Sequence, residues 1–214
     1  MTLIDLTVPW GTEVQPLDGH PRIHFDPITT HAVDRRSNTR VEFSIHTGTH
    51  IDAPYHFYPE GKTIDQIPLS VFIGRAILLD LTRFGLAGHG VTRKELLSTG
   101  VTASDLHGLR VVLRTDWATR HWNQADLYTH NPYLAEDAAQ WLADAGIVAL
   151  GLDFAVDQAF PYPNHYIFLQ REIVLIENLI HLDEVGDGPF TLMALPLRVV
   201  GGDGGPARVV AQVD

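Results

Sequence analysis

Ala135-Glu136-Asp137-Ala138-Ala139-Gln140-Trp141-Leu142-Ala143-Asp144-Ala145, then Gly146, then Ile147-Val148-Ala149-Leu150-Gly151-Leu152-Asp153 is the stretch from which the fold class is read. Ala138, Trp141, Leu142 and Ala145 recur at three- and four-residue intervals, the period of one helical face. Gly146 supplies the stop. The residues behind it are apolar almost throughout, as suits a strand covered on both faces. Helix, glycine, buried strand is the rhythm of helices packed on a sheet, so the chain is expected to be α/β. Working outward, residues 75–81, 110–115, 173–177, 190–199 and 207–213 also read as strands, with residues 201–206 as a turn before the last. Residues 3–8 alternate apolar and polar and form a first strand ending at Pro9. Thr92-x-x-Glu95 is a capping box opening a short helix. Residues 67–74 read as a helical turn closed by Gly74, and residues 116–134 as an aromatic loop. Strand content exceeds helix content, and no internal repeat or linker divides residues 1–214, so a single domain is expected.

Composition excludes several classes of function. Lys and Arg total 15 against 26 Asp and Glu, a net charge of −11, which opposes binding to nucleic acid or an anionic membrane. No cysteine is present, so any metal is held by nitrogen and oxygen. Met1-Thr2-Leu3-Ile4-Asp5 lacks the basic-then-apolar pattern of a secretory leader, and no apolar run reaches the ~18–20 residues of a membrane span. A cytoplasmic location is therefore expected. Residues 9–38 are rich in Pro, Gly, Asp and His, with weak strand signals at 23–25 and 28–30. A connection that long tends to be functional. An arm or hairpin is expected there, covering a pocket or contacting a second subunit.

The chemistry concentrates in His46-Thr47-Gly48-Thr49-His50-Ile51-Asp52-Ala53-Pro54-Tyr55-His56. Neutral imidazole and carboxylate are the ligands that suit zinc or manganese at neutral pH. A helix would align His46 with His50, but Gly48, the β-branched threonines and Pro54 oppose one. The segment reads instead as a strand over residues 41–45 running into a tight loop, in which Gly48 lets His46, His50 and Asp52 converge. Any one of these residues alone is ordinarily a hydrogen-bonded turn residue. Three histidines and an aspartate at this spacing favour a metal site. Glu177 ends the apolar run Ile173-Val174-Leu175-Ile176, and a carboxylate so placed needs a cation, an arginine or solvent.

The motif resembles the signature of the cyclase family of metal-dependent hydrolases, which includes bacterial kynurenine formamidases and isatin hydrolases. The resemblance continues through Gly151-Leu152-Asp153, Asn164-His165, Ile176-Glu177-Asn178-Leu179 and Ala194-Leu195-Pro196-Leu197. It implies a compact α/β domain with a mixed, partly barrel-like β core of the swivelling β/β/α type, and a homodimer or larger assembly. It implies that His46 and His50 bind one metal and His165 a second, with Asp52 and Glu177 bridging. Relatives acting on isatin carry glutamine at the late position and one manganese. Glu177 is retained here, so two Zn2+ are expected, with Mn2+ the alternative. It implies finally that His56 is the general acid/base. A group titrating near neutrality, close to the metal without being consumed by it, meets the need of a hydrolase.

The expected function is hydrolysis of an amide, imide or ester bond in a small cyclic or aryl substrate, with Phe25, Phe57, Tyr58 and Phe154 as candidate walls. Arylformamidase activity on N-formylkynurenine is the alternative. Against it, Gln15-Pro16-Leu17-Asp18-Gly19 stands where those enzymes carry a W-P-G tryptophan. The segment Gly151-Leu152-Asp153-Phe154-Ala155-Val156-Asp157 likewise departs from their usual G-I-D-T-P-S-V-D. A metal-dependent binding module is the non-enzymatic reading, and His56 is the feature it leaves without a purpose.

Overall fold

The computed structural model describes residues 1–11, 14–17 and 19–213; Asp18 and the other positions of the expected arm at 12 and 13 lie outside the described residues. The strands are β1 (Thr2–Asp5), β2 (His24–Thr29), β3 (Asn38–Glu42), β4 (His50–Asp52), β5 (Ile73–Asp80), β6 (Gly90–Val91), β7 (Arg110–Arg114), β8 (Tyr133–Leu134), β9 (Ala149–Leu152), β10 (Val174–Glu177), β11 (Phe190–Pro196) and β12 (Gly204–Val213). A mixed sheet runs β12-β11-β5-β7-β9-β10-β4 and returns from β4 to β12, closing a seven-stranded barrel. The β5-β7-β9-β10 run is parallel and the remaining pairings are antiparallel. Closure depends on the length of β12. Its first three residues pair with β4, and its far end pairs with β1, from Asp5↔Val210 to Thr2↔Val213.

Alternation along the parallel strands separates two cores. Val112, Ala149, Val174 and Ile176 point into the barrel with Ile51, Ala76, Leu192, Ala194, Val209 and Ala211. Val111, Leu113, Leu150, Leu152 and Leu175 point outward, against Trp141 and Leu142 of helix Glu136–Asp144 and Phe168 of helix Pro163–Leu169. Within the barrel, space is tight at Gly151 of β9. A Cβ on Gly151 would lie 3.0 Å from Leu179 and 3.1 Å from Val112.

The stretch that decided the fold class folds as expected, helix Glu136–Asp144 giving way at Gly146 (φ 75°) to β9. The capping box is also present, with Thr92 and Glu95 opening helix Arg93–Leu97. Five expectations need correction. The two weak strand signals merge into one strand, β2, which pairs with β3 in an exposed hairpin. The strand expected over residues 41–45 accordingly ends at Glu42, and the metal motif carries its own strand, β4. Gly74 closes no helical turn: helix Leu69–Phe72 passes straight into β5, where Gly74 leaves room for the Arg110 guanidinium, 2.5 Å from a would-be Cβ. The supposed turn at 201–206 is half strand, because Gly204, Gly205 and Pro206 pair with Asp52, Ile51 and His50. Within the aromatic loop, Trp117–His121 is a helix. Among the described residues no helix is long and apolar enough to cross a membrane.

At the end of β9, the fully buried Asp153 accepts hydrogen bonds from the Thr115 backbone N–H (2.8 Å) and hydroxyl (2.6 Å), tying β9 to the chain leaving β7. Burial pushes its carboxyl up from 3.8 to about 7, against the lowering effect of the Thr115 hydrogen bonds. The folded protein thus keeps a proton that the unfolded chain releases from about pH 4, and stability from this group falls as pH rises towards 7. Asp153→Asn should remove that slope and gain on the parent, by on the order of 2–4 kcal/mol between pH 4 and 7.5. Urea unfolding at both pH values measures it; parallel curves for parent and variant would refute the assignment.

Candidate metal centre

Strand alternation builds the site. Ile51 is buried in the barrel interior, so His50 and Asp52 face the opposite, outer side of β4. The β4–β10 register sets Glu177 directly across from His50 and Leu175 across from Asp52. Two buried carboxylates and a buried imidazole therefore share one face at the end of an otherwise apolar sheet. His165 reaches the same face from the first turn of helix Pro163–Leu169.

Hydrogen bonds fix how each ring is turned. The Gly48 carbonyl accepts from His50 Nδ1 (2.8 Å), leaving His50 Nε2 towards Asp52 Oδ1 (3.3 Å) and Glu177 Oε2 (3.9 Å). Gly48 has φ 67°, and its carbonyl also accepts from Asn178 Nδ2 at 3.0 Å. Asp157 accepts from His165 Nδ1 (2.6 Å) and from the backbone N–H groups of Asn164 and His165, capping the helix while turning His165 Nε2 towards Asp52 Oδ2 (3.5 Å). His46 Nδ1 lies 2.7 Å from Asp52 Oδ1 and its Nε2 lies 2.8 Å from Asp203 Oδ2. His46 and His50 thus approach one oxygen of Asp52 and His165 the other.

His56 stacks on His46, with ring centroids 3.9 Å apart, and its Nδ1 is 3.6 Å from Asp203 Oδ2. All six residues expected at the site, His46, His50, Asp52, His56, His165 and Glu177, line one cavity of about 600 Å³. Its other walls include Phe57, Leu127, Tyr128, Phe160 and Tyr162, with Gln15, His20 and Arg22 at the N-terminal side. Of the four aromatic residues expected as walls, only Phe57 lines it. Phe154 is buried in the outer core, Tyr58 donates to the Tyr166 carbonyl, and Phe25 sits on the β2–β3 hairpin. Trp10 packs on Phe43 and over Gly48 and is absent from the lining.

The electrostatics fit a cation. Burial raises Glu177, and the neighbouring Asp52 charge raises it further. Burial also pushes Asp52 up, but His46 and His50 hold it well below the usual carboxylate range. Burial opposes charge on His46, yet Asp52 and Asp203 raise it to about 10; His165, held by Asp157 and Asp52 against the same penalty, also rises to about 10. Burial, aided by His46 and His165, lowers His56 to about 4. Donor atoms of His50, Asp52 and Glu177 all lie within 4.8 Å of one another, as do those of His46, Asp52 and His56. Two adjacent buried carboxylates ringed by imidazoles repel each other unless a positive charge sits between them, and a divalent ion meets that requirement.

Sequence reading missed Asp203 and the orienting part played by Asp157. Asp203 stands among four glycines in an apparent turn, and only the long-range β4–β12 register brings it to the motif.

Fold and donor set together define a buried site of imidazole and carboxylate donors suited to a divalent ion. Comparison with known proteins narrows it. The Cyclase family profile ("Putative cyclase") matches residues 4–158. A kynurenine formamidase from Bacillus cytotoxicus is 31% identical over 212 residues, covering 97% of this chain and 95% of that protein. The predicted metal-dependent hydrolase from Bacillus stearothermophilus superposes with a TM-score of 0.81 at 28% identity, over 98% of this chain and 97% of that one. Isatin hydrolase A from Labrenzia aggregata, bound to benzyl benzoate, gives 0.84 at 24% identity over 99% and 93%, a likeness of fold. The chain belongs to the cyclase family.

Gly48 is where backbone conformation and ligand orientation meet. In Gly48→Ala the new Cβ would lie 2.5 Å from Trp10 Nε1 at a left-handed φ. The variant should lose about 1–2 kcal/mol of stability from the backbone alone and bind metal more weakly, as read by thermal melting and equilibrium dialysis. Parent-like values in both would show that Gly48 does not set the His50 geometry.

Proposed function

We propose that the protein hydrolyses an amide, imide or ester carbonyl of a small cyclic or aryl substrate, with His46, His50, Asp52, His165 and Glu177 holding divalent metal and His56 carrying the proton. The observation that carries this reading is the convergence of all six side chains on the foot of one cavity. His46 and His50 approach one Asp52 oxygen and His165 the other, so His46, His50 and Asp52 would hold one divalent ion and His165 and Glu177 would help hold a second; two zinc ions are favoured over a single zinc or manganese. When bound, such an ion lowers the pKa of water towards 7 and polarises a carbonyl. The protein's own groups do the rest. The Gly48 carbonyl and Asp157 hold His50 and His165 with their free nitrogens facing Asp52. Phe57, lying over His165 with centroids 4.6 Å apart, walls the site against bulk water and offers a flat face to a ring. A ring nitrogen of His56 takes the proton of the attacking water and returns one to the leaving nitrogen or oxygen.

The named relatives favour a second reading, arylformamidase activity on N-formylkynurenine. The cavity lacks the tryptophan expected for that substrate among its described lining residues. Turnover of N-formylkynurenine, isatin and simple cyclic imides compared side by side decides between the readings; efficient formylkynurenine hydrolysis would reverse the ranking. The same proposal places the enzyme in the cytoplasm as a homodimer or larger assembly, with the segment from residue 9 to 38 as the contact; its hairpin exposes Ile28 and Val33. Sedimentation of the intact protein checks the assembly, and a purely monomeric species refutes it.

His56→Ala should abolish turnover, by 100-fold or more on the scale of general acid–base catalysis, while the protein keeps its metal. Retained turnover of every parent substrate would remove His56 from the mechanism. Glu177→Gln should lower the bound metal from two ions towards one by elemental analysis, and unchanged stoichiometry would count against a bridging Glu177.

A further inference from the structure

Asp203 lies outside the donor set just described, yet the fold goes to some length to hold it there. Its backbone carbonyl accepts from Ala53 N–H at 2.9 Å, between the metal motif's Asp52 and Pro54, and the Gly202 carbonyl accepts from Ile64 N–H at 2.9 Å. The next residue, Gly204, opens the β12–β4 ladder opposite Asp52. A Cβ on Gly204 would meet the Ile51 carbonyl oxygen at 2.5 Å and His46 Cε1 at 3.1 Å, so the loop presses against the motif only because that position is glycine. The Asp203 carboxylate is 40% exposed, and one of its oxygens faces two imidazoles.

The ring nitrogens sort themselves by partner. His50 has Nδ1 tied to the Gly48 carbonyl and His165 has Nδ1 tied to Asp157, each leaving its other nitrogen towards Asp52. His46 follows the same logic with the ring reversed: Nδ1 faces Asp52 and Nε2 faces Asp203. A carboxylate behind a ligand imidazole fixes its tautomer and strengthens it as a donor. His56 lies stacked on His46, so its Nδ1 falls near the same Asp203 oxygen. At 3.6 Å that contact is longer than a hydrogen bond; catalytic hydrogen bonds that are long without substrate often tighten in the reacting complex. A proton held at Nδ1 leaves Nε2 of His56 as the acceptor.

We infer that Asp203 is a positioning residue that holds the metal-side histidine His46 and the proton-transfer histidine His56 through one carboxylate, setting the tautomer of both. The inference rests on the proposed function for the roles of those two histidines. The competing account is an exposed turn aspartate paired with a charged imidazole, contributing to neither orientation nor turnover.

The test uses the metal-loaded full-length protein with Asp203→Asn, which keeps the shape, and Asp203→Ala. Nitrogen-15 NMR of the histidine rings reads the tautomers directly and needs no substrate. The parent should carry its proton on Nε2 of His46 and Nδ1 of His56, and Asp203→Ala should lose that uniform assignment. Metal affinity should fall by roughly 10–100-fold in Asp203→Ala. With metal saturating, kcat on the best substrate should fall by about the same factor while KM changes little, Asp203→Asn lying in between. Unchanged tautomers in both variants overturn the inference, whatever the rates do. Unchanged kcat at full metal occupancy overturns it too. If the parent turns over no carbonyl substrate, the proposed function fails, and the NMR comparison still decides whether Asp203 sets the two rings.

Discussion

Three residues of β4 carry hydrogen bonds to β10 on one side and to β12 on the other, and both the barrel and the site depend on that double pairing. Without it the sheet stays open between β10 and β12, and the edge carbonyls and N–H groups of both strands lose their partners. The same three residues set the functional side chains. Ile51 anchors the strand in the barrel, and alternation sends His50 and Asp52 outward against Glu177. A one-residue slip of β4 would bury two polar groups inside and expose an isoleucine, so register and function are enforced by one hydrophobic preference.

Charge balance explains the rest of the site. Asp52, Asp157, Glu177 and Asp203 surround His46, His50, His56 and His165, and several of the contacts are shorter than 3 Å. Acidic groups this close are tolerated in a protein of net charge −11 only where positive charge is supplied locally. Imidazolium supplies it in part. A divalent ion would do so more completely, displacing the proton from one nitrogen of each imidazole that held it.

Much of this was legible beforehand, for physical reasons. The helix at 136–144 and the apolar parallel strands declare themselves because their periodicity and burial are local properties of the chain. The motif from His46 to His56 was legible because the donors crowd into eleven residues. What escaped depended on pairings between distant segments. Residues 204–206 look like a turn until β4 is laid beside them, and Asp203 looks like its solvated tip. Phe154 reads as a wall residue from its neighbours, but strand parity at the end of β9 turns it into the core. Glu177 stood out as a carboxylate ending an apolar run, but its role at this site and that of His165 came through family resemblance, since neither spacing nor periodicity links them to residue 50.

The metal face and the barrel interior are opposite sides of the same strands. Ala76, Ala149, Ala194 and Ala211 fill the inside, while the cavity takes most of its lining from loops near 15–22, 125–131 and 155–162, which lie outside the closed sheet. Apart from Asp157, which holds His165, and Val156, whose backbone N–H donates to Glu177, those loops can diverge in sequence without unpacking the scaffold that fixes the donors. A lineage built on this plan is free to trade one substrate for another by surface drift alone, retaining a single hydrolytic engine beneath a succession of different mouths.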